Sequence, residues 1–515
     1  MVNFRAVVSA ALLLLCGLQP VAAQDVTLSS PDGAVEITGN LLGFDGEFYR
    51  VDTKFGELTV DGSGVSCEGP GCPSLSDFVA EITLSGSAAM AEILLPALIE
   101  GYALRNGYQT HRNKLSGQDF EYLLRKAGGG TAARFVFAVS DTDQGFADLL
   151  DDAADIVMAQ REVRDTELSA ARSLGLGDLT QPARSRVLAL DALVPIVAPD
   201  NPVQNIDLPS LIAVLRGEID NWSVLGGPDA PISTHVPLEG VGVAQLIEDE
   251  FDLTGLPSRA QQHERLDALA RYVAIDPFAL GLGLYSQIGT ARALQLGGNC
   301  GFGLEVGRQA VKTEDYPITA PLFLYLPARR LPKIGREFLS YVRGPAAQIV
   351  IRRAGFVDQA PERIALNRQG NRLANAISSA GDEVGLSELA RLVDGVKEMD
   401  RLTTTFRFET GSARPDAQSR GNIEQLARDL EAGVYDGRKL MFVGFSDGEG
   451  PAAANRDIAL KRATAVRDAV IETSETANLS LVNLSVEAFG EAMPMACDDS
   501  AWGRKVNRRV EIWVR

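Results

Sequence analysis

The sequence predicts a multidomain chain of mixed α/β and α+β class, in which a small β-rich region precedes two larger α/β units. Three observations predict it. The length of 515 residues corresponds to about three domains of ordinary size. Residues 24–78 carry short apolar/polar alternations between turn residues, which is the pattern of half-buried strands. From residue 79 onward, strand-like runs alternate with helix-like runs, as in a sheet covered by helices.

The elements follow in order. Arg5, the apolar run Ala6–Leu18 and the small residues of Val21-Ala22-Ala23 form a secretory signal, residues 1–23, cleaved after Ala23. The run is shorter than the ~20 residues of a spanning helix, and Cys16 falls inside the removed segment. No later stretch is long and apolar enough to span a bilayer. Val35-Glu36-Ile37-Thr38 and Leu58-Thr59-Val60 read as strands, with turns at Pro31-Asp32-Gly33 and Asp45-Gly46. In the central unit, residues 79–360, Ile82-Thr83-Leu84 is a strand, Ser85-Gly86-Ser87 a turn and 88–103 a helix. Phe135–Val139 is a second strand, Ser140–Gly145 a polar loop leading to a helix at Phe146–Leu150, and Ala154–Met158 a third strand. Residues 361–400 read as a charged helical connector, and 401–515 as the last α/β unit.

Composition excludes several partners. The hydrophobic fraction of 45% allows large cores, and the formal charge of −19 disfavours nucleic acid and anionic lipid. Beyond the signal lie Cys67, Cys72, Cys300 and Cys497, an even number in a chain with an export signal. Cys67 and Cys72 bracket Glu-Gly-Pro-Gly, whose turn chemistry predicts a local disulfide. Whether Cys300 and Cys497 pair is left open by the sequence.

The last unit carries a specific set of motifs. The apolar strand Leu440–Gly444 runs into Phe445-Ser446-Asp447-Gly448-Glu449-Gly450, then into a helix opening at Pro451 and containing Asn455, Arg462 and Ala463. The chain closes on Gly503-Arg504-Lys505-Val506-Asn507-Arg508-Arg509-Val510-Glu511. These residues and spacings resemble the OmpA-like family of peptidoglycan-binding domains, whose opening strand and loop match Phe406-Arg407-Phe408 and Ser412. Phe445 and Ser446 depart from the usual His and Thr. The resemblance implies that Asp447, Asn455 and Arg462 bind the diaminopimelate of peptidoglycan. Asp447 suits its ammonium and Arg462 its carboxylate, because a guanidinium pairs a carboxylate bidentately. Asn455 and Arg462, seven residues apart, share a helix face. Arg504, Arg508 and Arg509 read as supports of the fold.

The central unit also resembles a known family. Asp200-Asn201-Pro202-Val203, Leu215–Ser223, Gly226-Gly227-Pro228-Asp229, Asp276–Gly281, Tyr316-Pro317 with Pro321–Tyr325, and 338–357 are similar to the phosphate-type solute-binding proteins of ABC transporters. The resemblance implies a two-lobed periplasmic-binding-protein (type 2) fold, with the chain crossing between lobes near residues 190 and 300–320. Ser85, Ser87, Ser140 and Gly240 would line a solute site. The family's third anion loop, R-x-x-G-S-G-T, is here Pro237-Leu238-Glu239-Gly240-Val241-Gly242-Val243, without the Arg or the hydroxyls.

His111, His235 and His263 stand in no metal-binding spacing, and no nucleophile elbow or P-loop occurs. The sequence therefore gives no catalytic residues, no metal and no cofactor. The expected protein is a non-enzymatic envelope protein in the periplasm, attached non-covalently to the cell wall and associated with the outer membrane. Its partners are peptidoglycan and a small solute or oxyanion, with an envelope protein or transporter as a further candidate. The competing reading is a structural scaffold whose two-lobed domain binds no small molecule.

Overall fold

The computed structural model describes residues 25–74, 78–238, 242–251, 259–298, 300–381, 383–408, 412 and 414–515. The signal segment and Gly240 lie outside the described residues.

The N-terminal region is a five-stranded antiparallel sheet, ordered Gly56–Asp61, Phe48–Thr53, Glu36–Phe44, Asp25–Ser29 and Ser66–Glu68. Alternation along its strands buries Val26, Leu28, Tyr49 and Val51 in a small core. The Cys67–Cys72 disulfide, with Cα atoms 5.8 Å apart, closes the edge strand onto the turn that follows. Asp45 and Glu47 dock the sheet onto Arg330, Lys333 and Arg336 of the central unit.

The central unit is built on one long sheet that serves two lobes. Its order runs from Gln261–His263 through Ser233–Pro237 and Ala279–Leu284 to Ser185–Val197. It continues through Thr319–Tyr325, Ile156–Ala159, Ala80–Ser87 and Thr131–Ser140 to the hairpin Phe120–Arg125/Gln109–Lys114. Strand Ser185–Val197 is shared. Its first half pairs with Thr319–Tyr325 and its second half with Ala279–Leu284. The chain crosses between lobes along these strands, as expected near residue 190. Two separate cores result, one around Ile82, Leu98, Phe135 and Phe338, the other around Leu193, Trp222, Val236 and Leu269.

Several local expectations shift. Ser85-Gly86-Ser87 is not a turn but the end of strand Ala80–Ser87, with Ser85 opposite Ala138 and Ser87 opposite Ser140. Gly86, at φ +122°, brings its backbone against the neighbouring strand; a Cβ there would lie 2.3 Å from the Met158 carbonyl oxygen. The following helix starts at Ala88 as expected, but it passes through a π-turn at Met90–Leu94 before Leu95–Arg105. Ser140–Gly145 is not all loop, because Asp141 caps a helix at Thr142–Leu150 by accepting from the Gln144 N–H at 2.8 Å. The hairpin at 109–125 escaped the sequence because Gln-Thr-His-Arg-Asn-Lys has no apolar face to alternate.

The C-terminal sheet is ordered Arg363–Ile364, Asp400–Phe406, Arg509–Val514, Lys439–Phe445 and Asn483–Gly490. Strand Lys439–Phe445 is buried on both faces. Leu440 and Phe442 meet the core under helices Ala417–Glu431 and Ala452–Thr473. Met441, Val443 and Phe445 meet Leu389, Leu392 and Val396 of helix Leu386–Val396. The connector is thus not a free linker; its helices form a layer on this sheet. Gly444 lets the long helix approach, since a Cβ there would lie 2.1 Å from the Ala459 carbonyl oxygen.

Central and C-terminal units meet through buried polar contacts. Arg401 donates to both carboxylate oxygens of Asp315, at 2.6 and 3.0 Å. Arg407 donates to the Glu314 carbonyl. Lys312, buried, donates to Asp358 and Glu362 at 2.9 and 2.7 Å. Cys300 and Cys497 form a disulfide across the junction, with Cα atoms 5.6 Å apart.

Candidate functional site

Three elements of the C-terminal unit converge at one end of its sheet: the loop after strand Lys439–Phe445, the start of helix Ala452–Thr473, and the segment before the last strand. Asp447 sits in the loop, largely buried. Its Oδ2 accepts from Arg508 Nη1 at 2.6 Å, and its Oδ1 makes only a long 3.4 Å contact with the Glu449 N–H. Asp498 holds the loop from the other side, accepting from the Gly448 N–H and from Asn507 Nδ2, both at 2.8 Å. Burial raises the Asp498 pKa, and the neighbouring Asp447 charge adds to it.

Asn455 is buried on the first turn of the helix and donates to Glu491 Oε2 at 2.5 Å and to the Gly450 carbonyl at 3.3 Å. Its amide is therefore a brace between loop and helix. Arg462 lies two turns further on, stacked over the Phe408 ring at 5.3 Å. Among the described residues its guanidinium has no ion-pair or hydrogen-bond partner. Its pKa is lowered by burial and by the Arg508 charge, while Asp447 opposes the shift. The arrangement offers a carboxylate with one lightly used oxygen and a half-buried guanidinium with a free fork. That pair suits a ligand carrying an ammonium beside a carboxylate.

The residues expected at the central site are differently disposed. Ser85 is fully buried and its hydroxyl donates to Asp148 Oδ2 at 2.5 Å. Ser87 is fully buried and donates to Gln160 Oε1 at 2.9 Å. Ser140 makes only a 3.4 Å contact with the next carbonyl. Across the cleft, a Cβ on Gly242 would stand 3.2 Å from Gln160 Oε1 and 3.6 Å from the Asp141 Cα. Arg164 bridges the lobes to Asp249 at 3.1 Å. The lobes thus lie against each other here, and two of the three described serines satisfy protein acceptors.

Residues 74–345 match the PBP superfamily domain, over half of the chain. The chain belongs to the PBP superfamily. Residues 407–508 match the OmpA family, so a PBP domain precedes an OmpA domain. Among curated relatives, the phosphate-binding protein PstS of Borreliella burgdorferi is 41% identical over 64 residues, covering 12% of this chain and 23% of that protein. Outer membrane porin F of Pseudomonas aeruginosa is 28% identical over 119 residues, covering 23% of this chain and 33% of that protein. The chain therefore spans about a quarter to a third of the curated relatives it matches. A crystal structure of an ABC-type phosphate transport receptor from Vibrio cholerae aligns with 54% of this chain and 99% of its own, at 18% identity and a TM-score of 0.42. Both matched families are families of binding proteins.

The sequence reading missed three participants in the OmpA domain. Arg508, taken for a fold support, is the partner of Asp447. Its neighbour Arg509 is the fold support: fully buried, it pairs with Glu511 at 2.7 Å and stacks on Phe445 at 4.3 Å. Phe445, where the family has His, thus fills a core position. Glu491 and Glu383 were also unseen; Glu383, from the connector, accepts from the Ala452 N–H at 2.7 Å and caps the helix. Arg508 ends helix Ala501–Asn507 and Arg509 opens strand Arg509–Val514, and that helix-to-strand boundary is the signal that could have separated the two. Sequence spacing carries no such signal for Glu383, 69 residues away. Among the described residues no three His, Cys, Asp or Glu side chains form a metal-holding group.

Proposed function

We propose that this protein is a non-enzymatic envelope protein, exported to the periplasm and held non-covalently on the cell wall by its OmpA domain. It carries its PBP domain as a solute-binding unit. The wall ligand is the diaminopimelate side chain of peptidoglycan. Asp447 Oδ1 takes the ammonium, Arg462 takes the carboxylate, Asn455 braces the loop against the helix, and Arg508 keeps Asp447 oriented. The observation that carries this reading is the free guanidinium of Arg462 in the field of Asp447. A charged, half-buried fork without a partner loses solvation that only an anionic ligand group can replace.

Competition tests the reading. Protein bound to diaminopimelate-type sacculi should be released by free meso-diaminopimelate and not by L-lysine, which lacks the second carboxylate of the side chain. Release by both alike would remove Arg462 from the ligand site.

For the PBP domain a second reading has a specific observation behind it. Ser85 and Ser87 donate to Asp148 and Gln160, which supports a domain that seats no oxyanion on these loops and serves there as a scaffold. Tight phosphate binding needs several charge-assisted donors; neither hydroxyl is free to supply one.

A further inference from the structure

The PBP and OmpA domains enclose a cavity of about 230 Å³ between them. One wall comes from Gln160 and Asp249 of the two lobes, another from Glu314 and Tyr316 ahead of the second crossing strand. The last comes from Arg407 and Gln418 of the OmpA domain. Five of these side chains are more than nine-tenths buried and carry polar atoms without a hydrogen-bond partner among the described residues: Gln160 Nε2, Glu314 Oε1, Tyr316 Oη, Arg407 Nε and Gln418 Oε1. Buried polar atoms are otherwise almost always paired, so five around one cavity point to a missing occupant.

The geometry points to a ligand site that the two domains form together, taking a small organic cation with a primary amine. Three of the five unmet atoms are oxygens that accept hydrogen bonds, and an ammonium brings three donors and no acceptor. The charges agree. Glu250, Glu314 and Asp416 line the cavity, beside Asp249, which Arg164 already holds. Of its cations, Arg161 and Arg407 each keep an unpartnered Nε but spend their terminal nitrogens, Arg161 on Asp143 and Glu167 and Arg407 on the carbonyls of Glu314 and Val506. That leaves Lys505 as the facing cation among the described residues. An anion would meet the acids.

Glu314 is the pivotal group. It adopts φ +53°, a left-handed conformation that side-chain-bearing residues rarely take and that clusters at functional positions. Burial, with the Asp416 charge behind it, pushes its pKa up to about 8, while Arg407 and Lys505 pull the other way. An amine arriving beside it would let it ionise. At ~30 Å³ per water the cavity has room for roughly seven waters, which a six-heavy-atom diamine can replace. Because Glu314 belongs to one domain and Gln418 to the other, occupancy would strengthen the junction that orients the PBP domain on the wall.

This inference rests on the PBP domain being a solute-binding unit and is independent of the diaminopimelate site. Titration calorimetry of the full-length mature chain with putrescine should give saturable one-to-one binding. Glu314→Gln should weaken it at least tenfold. Tyr316→Phe removes only an unpartnered hydroxyl, so it should keep or raise the melting temperature while weakening binding several-fold. Both variants should still sediment with sacculi. No saturable heat with putrescine would overturn the proposal. So would unchanged affinity in folded Glu314→Gln, or equal binding of uncharged butane-1,4-diol. Lost sedimentation with intact putrescine binding would instead count against the wall-binding reading.

Discussion

Arg401→Met should uncouple the two domains at a cost that follows from the junction. Arg401 is 1% exposed and Asp315 6% exposed, and they share two hydrogen bonds at 2.6 and 3.0 Å. Removing one partner of such a pair leaves a charge buried without compensation, which costs about 3–5 kcal/mol. The loss falls on Asp315. Glu511, the second contact of Arg401 at 3.4 Å, keeps Arg372 and Arg509. Arg407 stands 3.7 Å from Asp315 and offsets part of the loss, so about 3 kcal/mol is expected. For a unit of 150–250 residues that is roughly 6–12 °C in melting temperature. Differential scanning calorimetry of wild type, Arg401→Met and Arg401→Met/Asp315→Asn reads it. The single variant should melt lower or split into two transitions, and the double variant should recover most of the loss. A shift worth under about 1 kcal/mol, or a double variant worse than the single, would refute the reasoning.

Three further outcomes are expected. Phosphate should show no saturable binding tighter than millimolar in titration calorimetry. Replacement of the Arg and hydroxyls of the third loop by Pro237, Val241 and Val243, with Ser85 and Ser87 engaged, removes several charge-assisted bonds at about 1.5–3 kcal/mol each; a micromolar constant would contradict this. Glu314 should make stability fall with rising pH. Its folded pKa of about 8 lies above the unfolded value of ~4.3, so between them the folded state binds the extra proton and each pH step favours unfolding; Glu314→Gln should flatten denaturation curves between pH 5 and 8, and an unchanged slope would sink the assignment. Peptide mapping without reductant should recover both Cys67–Cys72 and Cys300–Cys497 from the exported protein. Cys300→Ser/Cys497→Ser should lose about 2–4 kcal/mol in urea denaturation, and a variant as stable as wild type would show that the bridge contributes nothing.

The sequence made one kind of structure legible and hid another. Where a residue needs a neighbour at fixed chain distance, the pattern was readable: the strand Leu440–Gly444, the glycines around Asp447, and the helix face shared by Asn455 and Arg462. The turn chemistry between Cys67 and Cys72 belongs to this kind. Long-range partners were not legible, because nothing local encodes them. Arg508 meets Asp447 across 61 residues, Arg401 meets Asp315 across 86, and Cys300 meets Cys497 across 197. The connector's helices were legible but their packing was not, for a related reason. A charged amphipathic helix such as Leu386–Val396 looks alike whether its apolar stripe faces solvent-side neighbours or a sheet, and only the two-faced strand Lys439–Phe445 shows which. At Ser85 and Ser87 the sequence marks polar residues for a solute site, but whether a hydroxyl serves a ligand or Asp148 and Gln160 depends on partners far along the chain.

On the proposed function, the OmpA domain holds the protein on the wall through Asp447 and Arg462. Co-sedimentation of the purified mature protein with diaminopimelate-type sacculi, beside Asp447→Ala, Arg462→Ala and the double variant, tests it directly. Each side chain supplies charge-assisted bonds of about 1.5–3 kcal/mol, so each single variant should bind roughly ten- to hundredfold more weakly. The double variant should stay in the supernatant while melting as a folded protein. A folded double variant that pellets as fully as wild type would contradict the claim.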